Sequence, residues 1–280
     1  MRAPAKLQIL KKLQSHIIEQ PSLLQRVAMN VFITGASSGL GEGLAKHYAT
    51  PGAIIGLCAR RAALLDELAQ AITAQGARAI VYAVDVSDTA AMQQAAAAFI
   101  AACGRVDLVI ANAGIGIPHR TLEGETESIA KLMRVNVIGV TNTVVPFVPA
   151  MLKQGSGTLV AVSSLAGHRG LPGRAAYSAS KAAAMTFMDG LRLDLHGSGV
   201  HAMTLCPGFV HTPMTAVLPG KLPFAIDCDE AVRLMSRAIA QRKKTTIFPW
   251  QVRILRFFLR FGSEAMVLRM APPARTRAPE

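Results

Sequence analysis

Aromatic side chains are scarce in this chain of 280 residues, 5% of the total with a single tryptophan, and acidic ones are few, 17 against 30 lysines and arginines. No internal repeat and no low-complexity linker interrupts it, so a solenoid or a string of small modules is excluded and a single large domain is expected. Four cysteines, Cys58, Cys103, Cys206 and Cys228, include no C-x-x-C pair, and Cys58 and Cys206 lie in apolar runs. They read as reduced core thiols, which points to a cytoplasmic setting and to no metal site. The first 28 residues lack the continuous apolar core and cleavage site of a secretory signal. They form a basic amphipathic stretch broken by Pro21, open to three readings: a targeting presequence, a surface helix, or an upstream start ahead of Met29.

The shortage of acids leaves a formal net charge of +13, but its location matters more than its size. Residues 1–30 hold five basic side chains and one acid, and residues 242–280 hold nine and two, so the body between them is close to neutral. That distribution argues against a nucleic-acid partner and for anionic surfaces met by the ends.

What the chain does have is apolar residues, 51% of the total, in a regular alternation. "NVFIT", "AIIGLC", "RAIVYAVDV", "VDLVIANAG", "GTLVAVSS", "VHAMTLCPG" and "TTIFP" are short runs that end in polar or glycine turns, as strands buried on both faces do. Helical stretches are expected between them, over 42–49, 62–75, 89–102, 126–151 and 175–196. The expected fold is therefore α/β, a doubly wound, Rossmann-type parallel sheet of about seven strands with helices on both faces. The expected organisation is a basic extension over 1–28, one Rossmann-type domain over 29–250 and a basic amphipathic arm over 251–280.

Three local patterns carry chemistry. "TGASSGLG", Thr34 to Gly41, follows the first strand and opens a helix, so Gly35, Gly39 and Gly41 leave room for a pyrophosphate at a helix N-terminus. At the end of the second strand, where an acid would select NAD by its ribose hydroxyl, the chain reads "CARR". Arg60 and Arg61 there suit a 2′-phosphate, which favours NADP(H) and leaves NAD(H) open. In "YSASK", Tyr177 and Lys181 stand i and i+4 on one helix face, and a cation beside a phenol lowers its pKa. The pair reads as a tuned acid/base or as an ordinary surface tyrosine beside a solvated lysine.

Taken in order, "TGASSGLG", "DV" at 85–86, "NAG" at 112–114, "VNVIG" at 135–139, "VSSLAG" at 162–167, "YSASK" at 177–181 and "PGFVHTP" at 207–213 resemble the motif set of the short-chain dehydrogenase/reductase family over about residues 30–215. The resemblance implies a catalytic tetrad: Ser164 on the substrate oxygen, Tyr177 as proton donor or acceptor, Lys181 on the nicotinamide ribose and tuning the phenol, and Asn136 holding a relay water. It further implies a cofactor cleft of Gly35, Ser37, Ser38, Gly39, Leu40, Gly41, Arg60, Arg61, Asp85, Val86, Asn112, Ala113, Gly114, Tyr177, Lys181, Pro207, Gly208, Val210 and Thr212. Of these, Asp85 would bond the adenine amino group and Thr212 the carboxamide. One departure is Ser38, which stands where NADP-preferring relatives often carry a basic residue.

By the same resemblance, substrate choice resides in the segment after "PGFVHTP", whose Met214, Val217, Leu218, Leu222, Phe224 and Ile226 are apolar, facing Leu165, His168, Leu171 and Pro172 from the other wall. The implied substrate is a hydrophobic small-molecule ketone, aldehyde or alcohol. The alternatives are a 3-oxoacyl thioester, which would want a basic landing surface for its carrier, and a non-catalytic NADP(H)-binding sensor or scaffold. A homodimer or homotetramer is implied too, through the helices carrying Asn136 and Tyr177. The stretch "WQVRILRFFLRF" carries Arg253, Arg256 and Arg260 at i, i+3 and i+7 with apolar residues around most of the remaining circumference. It suits either packing on protein or a membrane interface, the latter making the protein peripheral at a membrane's inner face.

Overall fold

The computed structural model describes residues 28–116, 124–218, 220 and 222–268. Residues 1–27 of the expected extension, residues 269–280 of the expected arm, and Pro219 and Lys221 of the substrate segment lie outside them.

Seven strands form one sheet in the order β3-β2-β1-β4-β5-β6-β7, with every neighbouring pair parallel. They are β1 (Asn30–Thr34), β2 (Ile54–Ala59), β3 (Arg78–Ala83), β4 (Leu108–Ala111), β5 (Gly157–Val162), β6 (Val200–Pro207) and β7 (Thr245–Phe248). The crossovers are helical: α1 (Gly39–Tyr48), α2 (Ala62–Ala74), α3 (Thr89–Cys103), a long segment of α4 (Glu127–Met133), α5 (Gly139–Val144) and α6 (Val148–Gln154), then α7 (Ala175–Asp194). After these come α8 (Pro213–Ala216), α9 (Cys228–Ala240), α10 (Trp250–Phe261) and α11 (Glu264–Leu268). Strand order reverses between β1 and β4, which opens a crevice at their carboxyl ends where ligands bind in folds of this kind.

The period of two along β1 shows how the core divides. Val31 and Ile33 point into the layer with Leu44, Leu65 and Met235, while Phe32 points into the opposite layer with Met92 and Met188. Three phenylalanines gather in that second layer: the Phe32 ring lies 5.3 Å from Phe99 and 5.0 Å from Phe147. All four cysteines are free thiols.

One helix departs from the sequence expectation. Instead of running unbroken over 126–151, it opens into a π-helical turn at Arg134–Ile138 and tightens into a 3-10 turn at Val145–Phe147. Pro146 and Pro149 lack the N–H that a continuous helix needs. The π turn coincides with Asn136, whose side chain is tied to the loop after β4.

Candidate active site

The glycine loop leaves β1 through Gly35, which has φ +68°, a region open to glycine and strained for other residues. A Cβ on Gly41 would sit 2.2 Å from the carbonyl oxygen of Gly35, so the loop closes this tightly only with hydrogen there. Thr34, which the sequence reading passed over, holds the opposite side. Its buried hydroxyl accepts from the backbone N–H of Asn112 at 3.2 Å and of Ala113 at 3.3 Å. Asn112 in turn donates from Nδ2 to the carbonyls of Thr34 and Gly35. The threonine ahead of the first glycine was the available signal.

Ser38 is the N-cap of α1, yet its side chain does not cap the helix. It accepts from Arg61 Nη2 at 2.8 Å, and Ser37 accepts from Arg61 Nη2 at 2.8 Å and Nε at 3.2 Å. Arg61 thus lies over the glycine loop with its guanidinium beside two hydroxyls and the free N–H groups of a helix start. Arg60 turns the other way, its Nη1 3.7 Å from Asp85 Oδ2 with both side chains well exposed. The other Asp85 oxygen accepts from the N–H and hydroxyl of Ser87. Burial pushes the Asp85 carboxyl upward, but the Ser87 hydrogen bonds and the charges of Arg60 and Lys131 outweigh it and leave the group below its ordinary value.

At the other end of the crevice, Ser164 leaves β5 as the cap of a short 3-10 turn, accepting from the N–H of Ala166. α7 brings up Tyr177 and Lys181 on one face, with the Lys181 Nζ 5.7 Å from the centre of the Tyr177 ring and donating to the carbonyl of Val162 at 3.1 Å. Ser163, distinct from Ser164, donates to the Lys181 carbonyl at 2.9 Å and pins α7 to β5. Asn136 is fully buried: it accepts from Ile115 N–H at 2.8 Å and donates to the Ile115 carbonyl and the Ser180 hydroxyl. Both its N–H donors are therefore committed to the protein, so the side chain acts first as a clamp on the β4 loop.

The protonation of the pair differs from the sequence expectation. The Tyr177 phenol is pushed above its usual value by burial, against lowering contributions from its hydrogen bond with Ser164 and from Arg174, three residues earlier on the chain. Burial also drives the Lys181 ammonium down to about 8, with the nearby Cys206 a smaller opposing influence. The lysine was expected to lower the phenol; the phenol's own desolvation raises it instead.

These residues converge on one cleft of ≈ 370 Å³. Of the cofactor and catalytic residues expected from the sequence, all line it except Gly41 and Asn136, which shape it from behind. Val135, Ile115, Met214 and Thr215 line it as well. Thr212 forms a capping box with Thr215 at the start of α8 and packs over Gly39. A second, shallower cleft of ≈ 660 Å³ adjoins it through Thr212 and Thr215 and is lined by Leu218, Leu222 and Phe224. Six expected wall residues, Leu165, His168, Leu171, Pro172, Val217 and Ile226, line neither cleft. Ile226 bridges to Val210 by its backbone, and Leu165 and Leu171 pack with Val252, Leu255 and Leu259 of α10.

α10 therefore covers the back of the loop that follows Ser164. Arg169 fastens its end, donating to the carbonyls of Leu259 at 2.9 Å and Gly262 at 2.6 Å. Its start lies so close to the β6 turn that a Cβ on Gly208 would be 2.6 Å from Val252 Cγ2. Part of the arm's apolar surface thus packs on the body, and Arg260's side chain lies outside the description.

A family model described as short chain dehydrogenase matches residues 29–221. An uncharacterized oxidoreductase of Myxococcus xanthus is 40% identical over 222 residues, covering 79% of this chain and 88% of its own. Among solved structures, a short chain dehydrogenase/reductase of Burkholderia phymatum in complex with NAD superposes with a TM-score of 0.77 at 27% identity, over 90% of this chain and 98% of that one. A short chain dehydrogenase of Burkholderia cenocepacia in complex with NADP gives 0.76 at 25% identity, over 89% and 100%.

Proposed function

Because the chain belongs to the short chain dehydrogenase family of NAD(P)-dependent oxidoreductases, we propose that it interconverts a hydrophobic ketone or aldehyde and its alcohol, with NADP(H) as the favoured cofactor. The observation that carries the reading is the convergence of Ser164, Tyr177 and Lys181 on the cleft that Arg61 closes at its far end. The residues fit a dinucleotide: the Gly35–Gly41 cradle excludes a Cβ, the start of α1 offers unpaired N–H groups, and Arg61 with Ser37 and Ser38 presents donors to a 2′-phosphate. The bound nicotinamide would supply or accept the hydride.

The chain's own part is to place the carbonyl and handle its proton. The Ser164 hydroxyl holds the carbonyl oxygen, where negative charge develops, and the Tyr177 hydroxyl delivers the proton in the reductive direction. A phenol held above its ordinary pKa is protonated at neutral pH, the form that reduction needs. Lys181 would orient the ribose, Asp85 and Val86 would flank the adenine, and Asn112, Ala113, Gly114, Pro207, Gly208 and Val210 line the cleft that would hold them. Met214, Leu218, Leu222 and Phe224 make the substrate side apolar, which supports a lipophilic substrate over a sugar. The experiment is NADPH and NADH oxidation against a panel of hydrophobic ketones and aldehydes. Turnover by the parent that vanishes with Tyr177→Phe supports the reading, whereas tight NADPH binding without any turnover would favour a sensor.

Lys181 gives a pH dependence with a definite sign. Below about 8 its Nζ is cationic and attracts an anionic cofactor, and above that it is neutral. Affinity for NADPH is therefore expected to fall several-fold between about pH 7 and about pH 9, read by fluorescence titration. A Lys181→Met protein should bind more weakly and show a flat profile over the same range; an equal slope in both proteins would remove Lys181 as the cause.

A homodimer or homotetramer is proposed through α4 to α7, on which Ile138, Val145, Leu152 and Leu193 are exposed. Light scattering should give a multiple of the 29.6 kDa chain mass, reduced by Leu152→Asp with Leu193→Asp. A monomeric parent would rule the assembly out.

A further inference from the structure

α10 has two sides of different fate. Val252 and Leu259 are buried on the body. On the outer side Trp250, Ile254, Phe257, Phe258 and Phe261 are between 52% and 68% exposed. These five fall at i, i+4, i+7, i+8 and i+11, a single continuous stripe. The Phe257 ring touches Phe258 and Phe261 at centroid distances of 6.0 and 5.1 Å, so these three phenylalanines form one cluster and not scattered side chains. In a protein with only 5% aromatics, whose other phenylalanines include the buried trio of Phe32, Phe99 and Phe147, this concentration on the outside stands apart.

Charge decides what covers the stripe. Residues 242–268 carry six basic side chains and one acid, in a chain whose body is close to neutral. Arg253 is exposed and Arg256 half-buried on the same helix. A second copy seated on this face in two-fold symmetry would bring the two arginine flanks together. Five side chains of this size, half exposed, offer roughly 600 Å², short of the about 800 Å² per partner that stable protein pairs bury. At twelve residues the helix is too short to span a bilayer, for which about 20 are needed. Tryptophan and phenylalanine beside arginine match a bilayer interface, with rings at the acyl boundary and guanidinium groups among anionic headgroups.

We propose that the outer face of α10 docks the protein on an anionic lipid surface, lying in the interface with Trp250, Phe257, Phe258 and Phe261 inserted and its inner face still packed behind the Ser164 loop. Trp250 is the chain's single tryptophan, so its emission reports this face alone. The full chain is mixed with vesicles of phosphatidylcholine, or of equal parts phosphatidylcholine and phosphatidylglycerol. The expected result is co-sedimentation with the anionic vesicles only, a blue shift of Trp250 emission, and quenching by lipid brominated on its acyl chains. Phe257→Ser with Phe258→Ser should weaken vesicle binding at least about tenfold, with NADPH affinity unchanged as the check on folding. Trp250 emission that stays put on anionic vesicles overturns the proposal. So does vesicle binding that survives the double substitution, since another segment would then be responsible. A loss of dimer in the double variant without vesicles would assign the face to a second copy and overturn it as well.

Discussion

Tyr177→Phe is expected to lower kcat about a thousandfold while NADPH affinity stays within about twofold. The substitution removes one oxygen and keeps the ring, which packs beside Gly116 and under the Lys181 ammonium. What goes is the proton donor at the point where the carbonyl oxygen gains charge, together with the hydrogen bond to Ser164. Orientation by Ser164 and the cofactor cleft survive, so the residual rate stays above the uncatalysed one. The pH behaviour of the parent separates the two directions. Reduction uses the protonated phenol and is expected to hold until the pH passes its raised pKa, whereas oxidation uses the phenolate and rises with pH. A Tyr177→Phe protein whose kcat lies within about tenfold of the parent would transfer the acid/base role to another group.

The second large effect is expected at Arg61. Arg61→Ala should lower kcat/KM with NADPH by about 10- to 100-fold and leave NADH within about twofold, because a charge-assisted hydrogen bond to phosphate contributes about 1.5–3 kcal/mol. Arg61 is already held against Ser37 and Ser38 at the rim of the glycine loop, so little ordering remains when a phosphate arrives. Arg60 lies 3.7 Å from Asp85 with both partners exposed, a contact that contributes little. Arg60→Ala is accordingly expected to change NADPH use by only about threefold. Should the NADPH to NADH ratio be unmoved in both single variants and in the double, the "CARR" turn would have no part in cofactor choice.

Much of the fold was legible because strands buried on both faces leave apolar runs with clear punctuation. All seven runs, from "NVFIT" to "TTIFP", form strands of the sheet, and the glycine loop stands where β1 ends. The spacing of Tyr177 and Lys181 correctly placed them together, since i and i+4 share a helix face. Spacing carries no information on burial, which is why the phenol's shift came out with the opposite sign. The π turn at Asn136 was hidden for a related reason: its cause is a contact with Ile115, 21 residues away in the chain. Leu165 and Leu171 belong to the substrate wall by resemblance; only the position of α10 shows that they pack with Val252, Leu255 and Leu259. In α10 itself, apolar residues surround most of the helix, so periodicity could not separate its inner from its outer side.

That helix places two unrelated demands on twelve consecutive residues. Val252, seated against Gly208, and Leu259, tied down through Arg169, answer to the shape of the cleft. Trp250, Ile254, Phe257 and Phe258 turn more than half of their surface to what lies outside the protein. Mutational tolerance along the helix should therefore alternate with the helical repeat: a screen for catalysis and a screen for where the protein resides would each recover hits here, interleaved and almost without overlap.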